Sequence, residues 1–223
     1  MKKANLTAVI ASVSVAIILL AAIAYAAMPA EEVSVKSDGK HSFVVDVPMK
    51  RARKILVRTN AAKKLVAMAD AELLDQEWLN LDFDAPRPLL KRDWHVDGEG
   101  KLVVRTNDAY LGSHDITLDQ SIDIRAEKLQ VTNKLKQPSG PIKEYSAELT
   151  LILDDSGNAR FETALNLQID TTANFFTRST VESKIRAAAQ TALEKQEVAI
   201  RSVIAEQDGK LLIVPDQIGN SED

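Results

Sequence analysis

The chain of 223 residues has no cysteine, which excludes disulfides, thiolate metal sites, a cysteine nucleophile and a lipid-modified bacterial N-terminus. The fold must therefore stand on packing. Glycine is scarce, eight residues in all, and no glycine-rich phosphate loop follows a strand. There is no Gly-x-Ser-x-Gly elbow and no His-Glu-x-x-His pair. The Asp-rich turn from Asp154 to Asn158 lacks the spacing and the closing Glu of a calcium loop. Aromatic residues make up 4% of the chain, which is sparse for the lining of a ligand cavity. A formal net charge of -4 argues against a generic nucleic-acid binder, since neutralising phosphates takes a strongly positive surface. No established cofactor or metal motif is present, and no residue is assigned a catalytic role.

What is present is ordinary globular material, 45% apolar and 27% charged, enough for one domain with a sizeable core. Ahead of it, residues 6–28 carry no charge and follow Lys2 and Lys3. About 20 apolar residues cross a bilayer core, so the run is long enough for a transmembrane anchor. Ala24-Tyr25-Ala26 before Ala27 also makes an acceptable cleavage site for a signal peptide. Either way, with the lysines on the cytoplasmic side, everything from Glu31 onward is expected outside the cytoplasm. In a bacterium that means a single-pass inner-membrane protein with a periplasmic domain, or a periplasmic protein cleaved after Ala26. The expected division is an anchor or signal segment at 1–30, one domain at 31–208, and a short apolar segment with a flexible tail at 209–223.

Residues 31–40 read as a tether or a short edge strand, with a turn signal at Asp38-Gly39. Phe43, Val45 and Val47 then alternate with Ser42, Val44 and Asp46 and stop at Pro48, a strand pattern. The next stretch carries Lys50, Arg51, Arg53, Lys54, Arg58, Lys63 and Lys64 and no acid. Its apolar spacing predicts two helices broken near Asn60, the second running through Leu73 and Leu74 toward Trp78. Strand patterns follow at 90–96, 101–106, 116–126, 129–135, 145–153 and 160–169. They are separated by Gly98-Glu99-Gly100, Leu111-Gly112-Ser113, Pro138-Ser139-Gly140-Pro141 and the Asp154 turn, chemistry that favours antiparallel hairpins.

The last element is a long helix over 180–206. Ser179 and Glu182 have the spacing of a capping box. Val181, Ile185, Ala188, Ala192, Ala199 and Val203 recur at three, four or seven residues, so one face is made for burial. Glu182 precedes Arg186, and Glu197 precedes Arg201, by four residues, the favourable order for exposed pairs. Gly209 can take the left-handed conformation that ends a helix.

A strand, two helices, a run of antiparallel strands and a C-terminal amphipathic helix form an order that resembles the START-like helix-grip superfamily, which includes polyketide cyclases and pollen allergens. The resemblance covers about 41–206 and implies an α+β fold in which an antiparallel sheet wraps the long C-terminal helix. It also implies a space between sheet and helix for a lipid or other hydrophobic molecule. The superfamily has no shared catalytic motif, so it implies no catalytic residue. On that reading the candidate ligand-lining residues are Ile185, Ala188, Ala192 and Ala199 of the helix with Leu151 and Leu165 of the last hairpin. The Ala-rich middle of the helix leaves either that space or a closer helix–sheet contact.

Two further features carry chemistry. Arg51, Lys54 and Arg58, at spacings of three and four, present a helical face for anionic headgroups of the membrane or an acidic protein partner. Asp93, His95 and Asp97 alternate and share a strand face, the weaker candidate for a metal or proton-transfer site. Three functions thus stand open: an extracytoplasmic binding domain for an apolar ligand, an envelope scaffold acting through protein contacts and, third, an enzyme using the Asp93, His95 and Asp97 face.

Overall fold

The computed structural model describes residues 31–58, 61–68, 71–84, 95–108, 112–173 and 178–210. Among them, strands β1 (Glu31–Pro48), β2 (Ala71–Asp84), β3 (His95–Asp108), β4 (Gly112–Arg125), β5 (Lys128–Leu135), β6 (Ile142–Leu153) and β7 (Asn158–Ala173) form one sheet, in the order β1-β7-β6-β5-β4-β3-β2. Each pairing is antiparallel. Helices α1 (Met49–Arg58) and α2 (Ala61–Met68) link β1 to β2, and α3 (Arg178–Gln207) follows β7. The long helix packs along β1 and β7 and against both short helices. The apolar run 6–28, Asp93, Trp94, the tail 211–223 and the side chains of Arg58 and Ala188 lie outside the described residues.

The sheet has an inner face toward α3 and a wet outer face, and the strands alternate between them as side-chain period two requires. On β7, Ala159, Phe161, Thr163, Leu165, Leu167 and Ile169 are buried, while Arg160 and Asn166 are exposed. From the helix, Val181, Ile185, Ala192, Ala199, Ile200 and Val203 close onto that face. Each buried Leu, Ile or Phe contributes about 1.5–3 kcal/mol relative to exposure.

Several expectations hold. The Asp154 turn is built by its own side chain, whose carboxylate accepts the Ser156 and Asn158 N–H groups at 2.9 and 2.6 Å. Gly157 completes it at φ +86°. Gly209 ends α3 at φ +77°, and Glu197 pairs with Arg201 at 2.6 Å.

Other expectations are corrected. Residues 31–40 are the first half of an 18-residue edge strand. Asp38-Gly39 makes no turn, because pairing with Asn166 and Leu165 runs straight through it. The second short helix stops at Met68, and Leu73, Leu74 and Trp78 belong to β2; a strand partner available along the whole of β3 outweighs local helical spacing. Gly98-Glu99-Gly100 is the interior of β3 rather than a hairpin turn. Its glycines admit the Trp78 ring: a Cβ on Gly98 or Gly100 would lie 3.3 or 3.1 Å from that ring. Finally, α3 begins at Arg178, so Ser179 is already inside the first turn and does not cap it. Glu182 pairs instead with Arg178 at 3.1 Å and Arg186 at 3.8 Å.

Candidate functional site

Register arranges the inner face in rows that cross the whole sheet, since partners in an antiparallel pair point the same way. One row runs Phe83, Val96, Ile124, Leu129, Leu151, Phe161, Phe43 from β2 to β1. The next runs Leu81, Gly98, Ile122, Val131, Leu149, Thr163, His41. A third runs Trp78, Gly100, Gln120, Asn133, Ala147, Leu165, Gly39. These rows are the floor of the candidate site.

At the β1 end the floor is closed. Gly39 lets α3 approach so nearly that a Cβ there would lie 2.8 Å from Leu193 Cδ1. Beside it, His41 Nε2 hydrogen-bonds the Glu197 carboxylate. Arg201 binds the same carboxylate and lies 5.1 Å over the Phe43 ring, which stacks on Phe161 at 5.1 Å. Burial pushes the Glu197 carboxyl up, but the bonds from His41 and Arg201 outweigh it and hold the group below its ordinary value. The far end of the helix is fastened too. Arg51 of α1 donates to the Gln207 and Lys210 carbonyls at 2.9 and 2.6 Å, satisfying C-terminal acceptors that have no partner within a helix. Lys64 of α2 binds Glu206 at 2.6 Å.

The middle of the floor is polar. Gln76 Nε2 donates to Gln120 Oε1 at 3.0 Å, reaching across Gly100, and Gln120 Nε2 donates to Asn133 Oδ1 at 2.8 Å. Such a buried amide chain is tolerated only because its members pair. Next to it the indole N–H of Trp78 is buried and meets no acceptor among the described residues, and the same holds for Gln196 Nε2 on α3.

At the β2 end the floor loses its cover. Along a single row exposure goes from 0% at Phe161 and 3% at Ile124 to 65% at Phe83. Leu81, in the adjacent row, is 38% exposed, and Leu79 stands out at the bulge between Trp78 and Asn80. An apolar strip continuous with the core thus emerges under the edge strand.

Ile185, Ala192, Ala199, Leu151 and Leu165 all lie in this one core and are buried, with the first and the last two fully so. Of the basic face, Arg51 is engaged with α3, and Lys54 is exposed. His95 and Asp97 do share a face, at 3.3 Å, on the outer side and partly exposed. Among the described residues no group of three or more His, Asp or Glu could hold a metal ion. Sequence reasoning missed the amide chain and the β2 opening. The only signal for the first was three amides on separate strands, which no spacing connects. For the second it was Leu79, Leu81 and Phe83, whose alternation says strand and nothing about cover.

No family model and no curated protein matches the chain. Solved structures similar in shape include a protein of unknown function from Staphylococcus aureus, at TM-score 0.49 and 9% identity over 79% of this chain and 98% of that one. An aromatase/cyclase from Streptomyces sp. R1128 has TM-score 0.47 and 12% identity over 81% and 99%. Truncated norcoclaurine synthase from Thalictrum flavum has TM-score 0.39 and 12% identity over 78% and 96%. Among the described residues no helix is long and apolar enough to cross a membrane. Seven antiparallel strands in this order, with a C-terminal helix packed along their inner face, make an α+β fold of helix-grip architecture.

Proposed function

We propose that this domain binds an apolar molecule with a polar end, and does so without catalysis. The observation that carries the reading is the loss of cover along the Phe43–Phe83 row, which brings an apolar strip from the closed core out to solvent under β2. An apolar tail lies along Phe83, Leu81 and Val96 and leaves water at about 25 cal/mol per Å² covered. Its polar end accepts the Trp78 indole N–H, whose burial is otherwise uncompensated. The run 6–28 holds the domain at the inner membrane on its periplasmic side, where lipid-like molecules are at hand.

Native mass spectrometry of the full-length chain, extracted in mild detergent, tests this. The expected result is bound lipid whose count falls by one in Phe83→Asp and is unchanged in Lys54→Ala. A bare mass from the unaltered chain would sink the reading. A polypeptide adduct would favour the second one, an envelope scaffold acting through protein contacts. What supports that alternative is the complete burial of Ile185, Leu151 and Leu165, a grip filled solid at its β1 end.

A further inference from the structure

The outer face of the sheet, which the reading above leaves unused, carries two adjoining grooves of about 630 and 510 Å³ that share Lys40 and Ala164. Ala164 explains the depression, because it is the smallest side chain in its outer row, between Lys40 of β1 and Glu148 of β6. Lys36, Lys40, Lys134 and Lys143 surround the larger groove, against Asp38 and Glu144 as its only acids. Lys36 approaches Glu144 at 3.8 Å with both side chains largely exposed. Lys40, Lys134 and Lys143 form no ion pair among the described residues, so the groove has a surplus of cations. In its wall Gln168 donates from Nε2 to Ser34 at 2.9 Å, while Gln168 Oε1 is buried and meets no donor among the described residues. Cations with a carboxylate and an orphan amide oxygen fit a ligand that brings negative charge and hydroxyl donors together.

Position adds a source. Lys36 lies five residues into β1 from Glu31, about 17 Å at strand rise, and the start of β6, which bears Lys143, is at the same end, where Ile142 pairs with Ile169 and Ile169 with Val35. Helix α1 is at the opposite end of β1, with Met49 N–H bonded to Gly157 of the β6–β7 turn at 3.4 Å. The basic surface nearest Glu31, where the chain enters the sheet, is therefore this groove and not the Arg51 and Lys54 helix. We infer that the outer groove binds a phosphate ester bearing free hydroxyls, of the kind a phosphoglycerol headgroup presents. The lipid source rests on the reading that the run 6–28 stays attached; the groove chemistry does not.

The test is native mass spectrometry of the full-length chain in nanodiscs of phosphatidylglycerol, phosphatidic acid or phosphatidylcholine, with glycerol 3-phosphate as a soluble competitor. Phosphatidylglycerol should be retained at least tenfold over phosphatidylcholine and several-fold over phosphatidic acid, which lacks the free hydroxyls. Lys134→Glu with Lys143→Glu should abolish that preference, and Gln168→Leu should remove the preference over phosphatidic acid. Competition by glycerol 3-phosphate supports the groove with a soluble source, and its failure supports the lipid. Equal retention of all three lipids, or a Lys134→Glu, Lys143→Glu chain that still prefers phosphatidylglycerol, overturns the inference. An intact mass that begins at Ala27 refutes the anchor alone, because glycerol 3-phosphate still reads the groove, and Phe83→Asp leaves it unchanged while emptying the inner site.

Discussion

The β1–β7 edge and the β2–β3 edge of the sheet present similar side chains to the inner face and meet opposite fates. At the first, Phe43 and Phe161 stack beneath α3, and Leu193, Glu197 and Arg201 reach down onto Gly39, His41 and Phe43. At the second, Phe83 and Leu81 occupy the same rows and stand in solvent. The difference is one of cover: α3 lies along β1 and β7, and α2 packs against β2, so Ala71, Leu73 and Trp78 still pack on the core, while Leu81 and Phe83, past the bulge, are left exposed. The exposed apolar stretch of β2 lies next to an indole N–H that meets no acceptor among the described residues, and that is where a ligand gains most.

The comparison breaks most visibly if the closed end is cut. Phe161→Ala should cost about 3–5 kcal/mol, read as a lower denaturation midpoint, because the lost ring leaves a cavity beneath a clamped helix. A cost below about 1 kcal/mol would mean that this end is not closed. Gly39→Val should cost about 1–3 kcal/mol by driving Leu193 off its place, and Leu193→Ala in the same chain should recover part of the loss.

Smaller effects sharpen the picture of the clamp. Arg51→Ala should cost about 1 kcal/mol, the upper part of the range for a half-exposed charged donor being reduced by water; amide exchange should quicken in the last turn of α3 and not in β2. Glu197 adds a pH dependence. Its folded-state carboxyl is held below its ordinary 4.5, so its stabilisation is full above the unfolded-state value and is lost as pH falls through the folded-state one. Glu197→Gln should therefore lower Tm at pH 7 and narrow the gap to the unaltered protein below about pH 4. A gap that stays constant down to pH 3 would show that the pair with His41 and Arg201 contributes nothing.

Much of this architecture was legible in the sequence. Alternation in 145–153 and 160–169, the self-capped Asp154 turn and the three-four-seven spacing from Val181 to Val203 identify antiparallel strands and a buried helix face without any tertiary information. What failed did so for nonlocal reasons. Leu73 and Leu74 continue a helical spacing, yet the backbone there is needed by β3. Gly98 and Gly100 look like punctuation until the Trp78 ring is placed over them. Ser179 has a capping partner at the right distance, but the helix starts one residue earlier. The candidate site was half legible. The burial of Ile185, Ala192, Leu151 and Leu165 on the inner face follows from their spacing, while the opening at Phe83 and the chain Gln76–Gln120–Asn133 depend on register between strands far apart in sequence.

The smallest stability effect is also the most informative. Phe83→Ala removes a side chain from the same row as Phe161, but one already 65% exposed, so its cost should stay within about 0.5 kcal/mol, as for other surface positions. The same substitution should weaken binding of an apolar anionic dye such as anilinonaphthalene sulfonate several-fold, followed through quenching of tryptophan fluorescence, since Trp78 adjoins the strip. Stability and binding thus separate at the β2 end, whereas at the β1 end Phe161→Ala should impair both together. If Phe83→Ala instead destabilises as much as Phe161→Ala, the β2 end is part of the closed core and the binding site lies elsewhere. If it leaves both stability and dye binding untouched, the strip under β2 is bare surface, and the filled end of the grip becomes the better guide to what this domain does.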